Sequence, residues 1–180
     1  MVLKVAYMGT YNRELVEYLR EKATIIRRDM LEMIYKANSG HPGGSLSAAD
    51  IVAVLYFHGM NIDPKRPHWP ERDRFILSKG HACPVHYSAL ARRGYFAMAQ
   101  LNTLRQINSI LQGHPDMNKV PGLDMTTGSL GQGLSVGVGM ALAAKLDKKN
   151  YRTYVLVGDG ELNEGQVWEA VMFAAKYKLD

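Results

Sequence analysis

Between residues 12 and 38 the apolar positions Leu15, Leu19, Ala23, Ile26, Met30, Ile34 and Ala37 recur every three or four residues, the spacing of one helix face. This predicts a long amphipathic helix ending at Asn38, Ser39 and Gly40, where Gly40 takes the left-handed cap conformation and Pro42 breaks continuation. A second helix is expected after Ser47, whose spacing to Asp50 is that of a capping box, with a stop at Gly59. Pro64, Pro67 and Pro70 remove backbone donors and mark residues 61–71 as a surface connection. Residues 75–77 read as a short buried strand, and helices follow over 84–93 and 97–108, separated by Gly94. After a long loop over 112–129, the small residues Gly133, Gly137, Ala141 and Ala144 indicate a buried helix over 131–146 that admits close backbone approach.

The clearest strand is 153–157, apolar, partly β-branched and bounded by Gly158, as expected for a central parallel strand covered on both faces. After the GDG turn at 158–160, Val167, Trp168, Val171, Met172, Ala175 and Leu179 restore helical periodicity. Strand, turn and helix form two-thirds of a right-handed crossover, so the class is α/β with a parallel sheet flanked by helices. The next parallel strand is expected directly after residue 180, which makes the sheet look truncated.

With 180 residues, 47% hydrophobic and 22% charged, the chain reads as one soluble domain over 1–180. Its apolar runs are too short to span a membrane, and the amino terminus lacks a signal-peptide pattern, so a cytoplasmic location is expected. Cys83 is the only cysteine, which suits a reducing compartment. A formal charge of +5 favours anionic ligands. The basic pairs Arg27 with Arg28, Arg92 with Arg93 and Lys148 with Lys149 lack the aromatic interleaving of a nucleic-acid groove.

Asp159 stands where a strand ends, the edge at which open parallel sheets bind ligands, and its flanking glycines let a diphosphate approach the backbone. A hard Mg²⁺ ion would take this carboxylate with phosphate and water oxygens. GDG alone also fits an Asp that caps the next helix or shapes a turn. A second glycine-rich segment, TTGSLGQG at 126–133, enters the small-residue helix and offers amides to a phosphate. It does not suit a dinucleotide, because no buried strand precedes it and no acidic ribose partner follows. Three histidines sit in glycine- or proline-rich loops, His41 in SGHPGG, His81 in SKGHA and His114 in QGHPD, where they can exchange protons near neutral pH. His58, His68 and His86 lack such settings and read as structural or surface residues. The spacing of His81, Cys83 and His86 matches no usual zinc pattern.

Taken together, SGHPGG at 39–44, LSKGHA at 77–82, GHPD at 113–116, TTGSLGQG at 126–133 and GDGELNEGQVWEA at 158–170 resemble the transketolase amino-terminal domain in order and spacing. The resemblance runs from about Arg27 to the last residue. Deoxyxylulose-phosphate synthases are the nearest alternative family, with different equivalents of TTGSLGQG and GDGELNEG.

The transketolase resemblance implies a thiamine diphosphate-binding fold and transfer of a two-carbon ketol unit from a ketose phosphate to an aldose phosphate, as in the pentose phosphate pathway. The cofactors would be thiamine diphosphate and Mg²⁺, with Ca²⁺ or Mn²⁺ as substitutes. By the same resemblance Asp159 is a metal ligand, Gly160, Gly128 and Leu130 contact the cofactor, and His41, His81 and His114 line the reaction channel, His81 nearest the diphosphate. Glu164 corresponds to a carboxylate at a subunit interface, which presupposes a homodimer or a heterotetramer with a carboxyl-terminal subunit. The Asn that closes the family's metal motif and the activating glutamate are expected outside this sequence. A non-catalytic remnant or regulatory module with the same fold is the other reading.

Overall fold

The computed structural model describes residues 12–179. The one-domain reading over 1–180 therefore extends past the described residues at both ends, as does the run at 176–180 expected to lead into a further strand.

Helix α1 spans Arg13–Ala37, capped at its start by the Asn12 side chain, which accepts from the Leu15 amide at 3.1 Å. Its left-handed cap is Asn38, φ 48°, and not Gly40 as expected; Asn tolerates this conformation well enough to close the helix two residues earlier. Ala23, Ile26 and Met30 of the predicted face are buried. Asp29 is buried beside them, because Arg92 grips it through two hydrogen bonds of 2.7 Å and Ser88 donates at 2.9 Å.

Helix α2 covers Pro42–Val54 and continues as one wide turn over Leu55–Gly59, so Gly59 does mark its end. It starts six residues before the expected position. Pro42 is preorganised for a first helical turn, and the Ser45 amide and hydroxyl both reach the His41 carbonyl. The capping-box pair is spent elsewhere: the Ser47 hydroxyl donates to the Gly44 carbonyl, and Asp50 takes Arg27.

Strand β1 (Arg74–Leu77), helix α3 (Cys83–Arg93), helix α4 (Gln132–Leu146), strand β2 (Thr153–Leu156) and helix α5 (Gly165–Tyr177) complete the regular elements. The two strands are parallel and in register from Arg74 with Thr153 to Leu77 with Leu156. One core joins α1, α2, α3 and β1, while α4 lies on both strands and packs on α5.

Three further expectations of the sequence are corrected. The helix predicted over 97–108 is a short 3₁₀ segment, Met98–Thr103, followed by turns with Arg105 and Asn108 at positive φ. Side chains there take the backbone's place: Ser109 bonds the Thr103 hydroxyl and accepts from the Leu111 amide, and the Arg105 amide meets the Leu111 carbonyl. Helix α4 is buried only at Gly133, Gly137 and Ala144, so it is a one-faced helix rather than a buried one. Strand β2 is half-buried throughout and lies at the edge of a two-stranded sheet among the described residues.

On the other side of β1, Asp124 stands in for a neighbouring strand. Its carboxylate accepts from the Phe75 amide at 2.8 Å and pairs with Arg72 at 2.6 Å. This pins the loop 112–129, which carries His114 and Gly128, to the strand that leads into Ser78 and Lys79.

Candidate active site

The segment 78–81 follows β1 and makes four attachments in consecutive residues. The Ser78 hydroxyl donates to the Glu161 carboxylate. Lys79 donates to the Ser47 hydroxyl at 3.0 Å. Gly80 lies against the Thr127 backbone, so closely that a Cβ would stand 2.6 Å from its carbonyl carbon. The His81 ring meets the His41 ring edge-on, centroids 4.9 Å apart.

Glu161 is 3% exposed, and its carboxylate collects three donors: Ser78, the Gly131 amide at 2.8 Å and the Gly158 amide at 2.9 Å. It ties the end of β1, the start of α4 and the turn after β2 into one rigid unit. Gly131, φ +84°, must be glycine here, since Glu164 would approach a Cβ to 3.0 Å. The Gly131 amide is therefore occupied and not offered to a ligand.

Asp159 is exposed at the head of the 3₁₀ turn Gly160–Asn163, and its side chain makes no capping bond. The capping role that GDG alone allowed is not taken up. Among the described residues no group of three His, Cys, Asp or Glu side chains is placed to hold a metal. Any ion at Asp159 would need its other ligands from outside these side chains. Leu130 is exposed, and Gly128 packs on the His114 ring with its Cβ position 3.2 Å from Cδ2.

The three loop histidines come together: His41 against His81, and His114 over Gly128, one residue beyond the Thr127 that lies on Gly80. His41 and His114 are exposed and His81 is half-buried. Burial lowers the His81 pKa below the usual histidine value, and the charges of His41, Lys79 and His114 add to this while Glu161 opposes it. His81 is held neutral at neutral pH.

The remaining histidines behave as read. His58 and His68 are exposed, and His86 is a core residue bonded to the Tyr56 hydroxyl. No zinc trio forms among the described residues, because Cys83 is buried, turns to the Gln112 and Gly113 carbonyls, and has its thiol pushed up to about 12 by burial. Sequence reasoning missed Glu161 and Lys79. The only signal for either is a charged residue directly after the motif glycine, or two residues after the strand.

The class is thus α/β, with a glycine-flanked carboxylate after one parallel strand, a buried carboxylate clamp beside it and three histidines on loops. A family profile described as the transketolase thiamine diphosphate-binding domain matches residues 19–180, and the chain belongs to that family. It is 52% identical over 162 residues to the 6-deoxy-6-sulfo-D-fructose transketolase subunit of Clostridium sp. (strain MSTE9), covering 90% of this chain and 59% of that one. It is 47% identical over 165 residues to an apulose-4-phosphate transketolase subunit of Phocaeicola vulgatus, covering 92% of this chain and 58% of the relative. The transketolase crystal structure from Campylobacter jejuni superposes with a TM-score of 0.85 at 39% identity, over 91% of this chain and 27% of that one. The chain thus spans well under two-thirds of each of these proteins.

Proposed function

We propose that this chain forms the diphosphate- and metal-holding part of a transketolase, which moves a two-carbon ketol unit from a ketose phosphate to an aldose phosphate. The observation that carries this reading is the segment 78–81, which connects the Asp159 strand edge to the three histidines. Bound thiamine diphosphate would supply the carbanion chemistry that breaks and makes the carbon–carbon bond. The residues present fit such a group: Asp159 is free of any capping duty, and Glu161 holds the surrounding turns without offering its own charge.

In this reading Asp159 holds Mg²⁺, for which Ca²⁺ or Mn²⁺ could substitute, and Gly160, Gly128 and Leu130 supply backbone contacts. His81, kept neutral, stands beside the diphosphate. The exposed imidazoles of His41 and His114 hydrogen-bond the hydroxyl and carbonyl oxygens of the substrate, taking a proton from a hydroxyl or giving one to a carbonyl oxygen as it becomes a hydroxyl. Glu164, against Gly131, lies at a subunit contact. The word "subunit" in the names of two relatives supports a carboxyl-terminal partner, in a homodimer or heterotetramer, and their anionic sugars support an anionic ketose substrate. The lone buried Cys83 accords with a cytoplasmic enzyme of pentose phosphate exchange.

The test is calorimetry of thiamine diphosphate with Mg²⁺ on the assembled enzyme, meaning this chain combined with the remaining part. Asp159→Ala is expected to abolish Mg²⁺-dependent binding and turnover in a coupled transfer assay. Unchanged cofactor affinity in that variant would overturn the assignment.

A further inference from the structure

The two carbonyls just before His114 are both taken by one face of α3. The Tyr87 hydroxyl donates to the Gln112 carbonyl at 2.9 Å, and the Cys83 thiol donates to the Gly113 carbonyl at 3.3 Å, with that of Gln112 at 3.6 Å. Cys83 and Tyr87 are four residues apart, so one turn of helix presents both donors side by side. Both are fully buried. Burial raises the Tyr87 phenol pKa above its usual value and pushes the Cys83 thiol up to about 12, so both groups remain protonated donors at neutral pH.

The same segment is held at two further points. The Arg105 guanidinium lies on Gly113, its Cζ 2.7 Å from where a Cβ would stand, and past the histidine the Pro115 carbonyl accepts from the Thr127 amide at 3.3 Å. His114 itself is exposed, with its ring on Gly128. An exposed ring between two pinned peptides points where the pins direct it. A buried loop carbonyl needs a donor for folding alone, but the placement here carries more than that. Helix α3 begins two residues after His81, so the element that follows one loop histidine grips the backbone of another. His41 joins them through its ring contact with His81.

We infer that Tyr87, seconded by Cys83, is a positioning residue that aims the His114 imidazole at the substrate by holding the peptides in front of it. This rests on the reading above of His114 as a group that contacts substrate. Misplacing a reacting group by about 1 Å can cost about 100-fold in rate, whereas one neutral hydrogen bond is a small part of the stability of a fold. Loss of the Tyr87 hydroxyl should therefore weigh more on turnover than on folding.

The experiment uses the assembled enzyme and Tyr87→Phe, which keeps the ring and removes only the donor. In a coupled transfer assay kcat/KM should fall about tenfold while thiamine diphosphate affinity, read by calorimetry, stays unchanged. Added to His114→Ala, the same substitution should cost almost nothing further, because it acts through that ring; added to His41→Ala it should still cost about tenfold. Cys83→Ser, which keeps a donor, should stay near the wild type, and Cys83→Ala should lose part of what Tyr87→Phe loses. A second readout is independent of turnover: the rate at which diethyl pyrocarbonate modifies each histidine, followed by peptide mass spectrometry. In Tyr87→Phe the His114 rate should rise about threefold or more as its loop loosens, with the His41 rate unchanged.

A loss of the same size in the His114→Ala background overturns the inference, since Tyr87 would then act on something other than His114. So does a lower melting temperature with cofactor affinity and turnover falling together, which would make Tyr87 a structural residue. Wild-type turnover and a wild-type modification rate in Tyr87→Phe overturn it as well. If His114→Ala itself turns over like the wild type, the substrate role of His114 falls instead, and the modification rates alone decide whether Tyr87 aims the ring: a faster His114 rate upholds the positioning, and an unchanged one removes it too.

Discussion

The Ser78 hydroxyl donates to the Glu161 carboxylate across the ends of the two strands, and that contact closes the site from within. Since Glu161 also accepts from the Gly131 and Gly158 amides, one carboxylate positions the loop before α4 and the turn that carries Asp159. An ionised carboxylate has only acceptors to offer, which matches three incoming donors.

Glu161→Gln should therefore be harmful despite its similar shape. The amide replaces an acceptor by a donor, which faces at least one N–H or O–H and leaves it buried without a partner, at a cost of about 1–3 kcal/mol. Denaturant midpoints should fall by the corresponding amount, and cofactor affinity should fall with them. A variant as stable as the wild type would show that the clamp is not what holds these turns.

The contact between α4 and the strands predicts opposite outcomes for two glycines of one helix. At Gly133 a Cβ would stand 2.9 Å from the Ser78 Cα and closer still to its side chain, whereas Gly139 has open space. Gly133→Ala should destabilise by about 1–3 kcal/mol, because overpacking against a fixed strand end outweighs the better helix propensity of alanine. Gly139→Ala should stabilise by about 0.5–1 kcal/mol. Thermal melts of the two variants side by side decide the matter.

The parts of the site readable from sequence were those with local punctuation. Asp159 was legible because an apolar, β-branched run ends in GDG, and the three histidines because each sits among glycines or prolines. Glu161 and Lys79 look in sequence like ordinary solvated charges; only tertiary closure buries them, and periodicity carries no record of that. The helix expected over 97–108 failed for a similar reason: Leu101 and Leu104 have helical spacing and are buried, but Thr103 and Ser109 compete for the backbone that would continue the helix. Likewise the alternation of small residues in α4 reports close approach on one face and says nothing of the other.

His41 and His114 are exposed, so their removal should touch turnover more than folding. Each alanine variant should lower kcat/KM in the assembled enzyme by about 100-fold or more while the melting temperature stays nearly constant. Loss of stability in proportion to loss of activity would mark them as structural.

His86 carries a different pH signature. Burial pushes its pKa from 6.5 down to about 3, so the unfolded chain binds a proton that the folded chain refuses. The folded-state pKa lies below the unfolded one, so stability is fully present above about pH 6.5. It is lost as pH falls toward 3, at up to about 1.4 kcal/mol per pH unit from this residue. His86→Gln should flatten that part of the curve, as read from urea midpoints taken across the range. An unchanged slope would assign acid lability to other groups.

Alone, this chain should not turn over sugar phosphates. Asp159 has no metal-binding companions among the described residues, so an ion there would depend on water and phosphate oxygens for nearly all its remaining ligands. Strand β2 is half-buried at a sheet edge, and the outer face of α5 leaves Trp168 57% and Met172 64% exposed. An open edge beside such an apolar face favours association, and in the assembled enzyme we expect the remaining part to cover both. The purified 180-residue chain should therefore show no activity in a coupled assay and should sediment above its 20.1 kDa monomer mass. Supplying the remaining part in trans should restore turnover and replace self-association by a defined complex. A monomeric chain with turnover near that of the mixture would refute both halves of the argument, since it would require a complete metal site and a covered sheet within these residues.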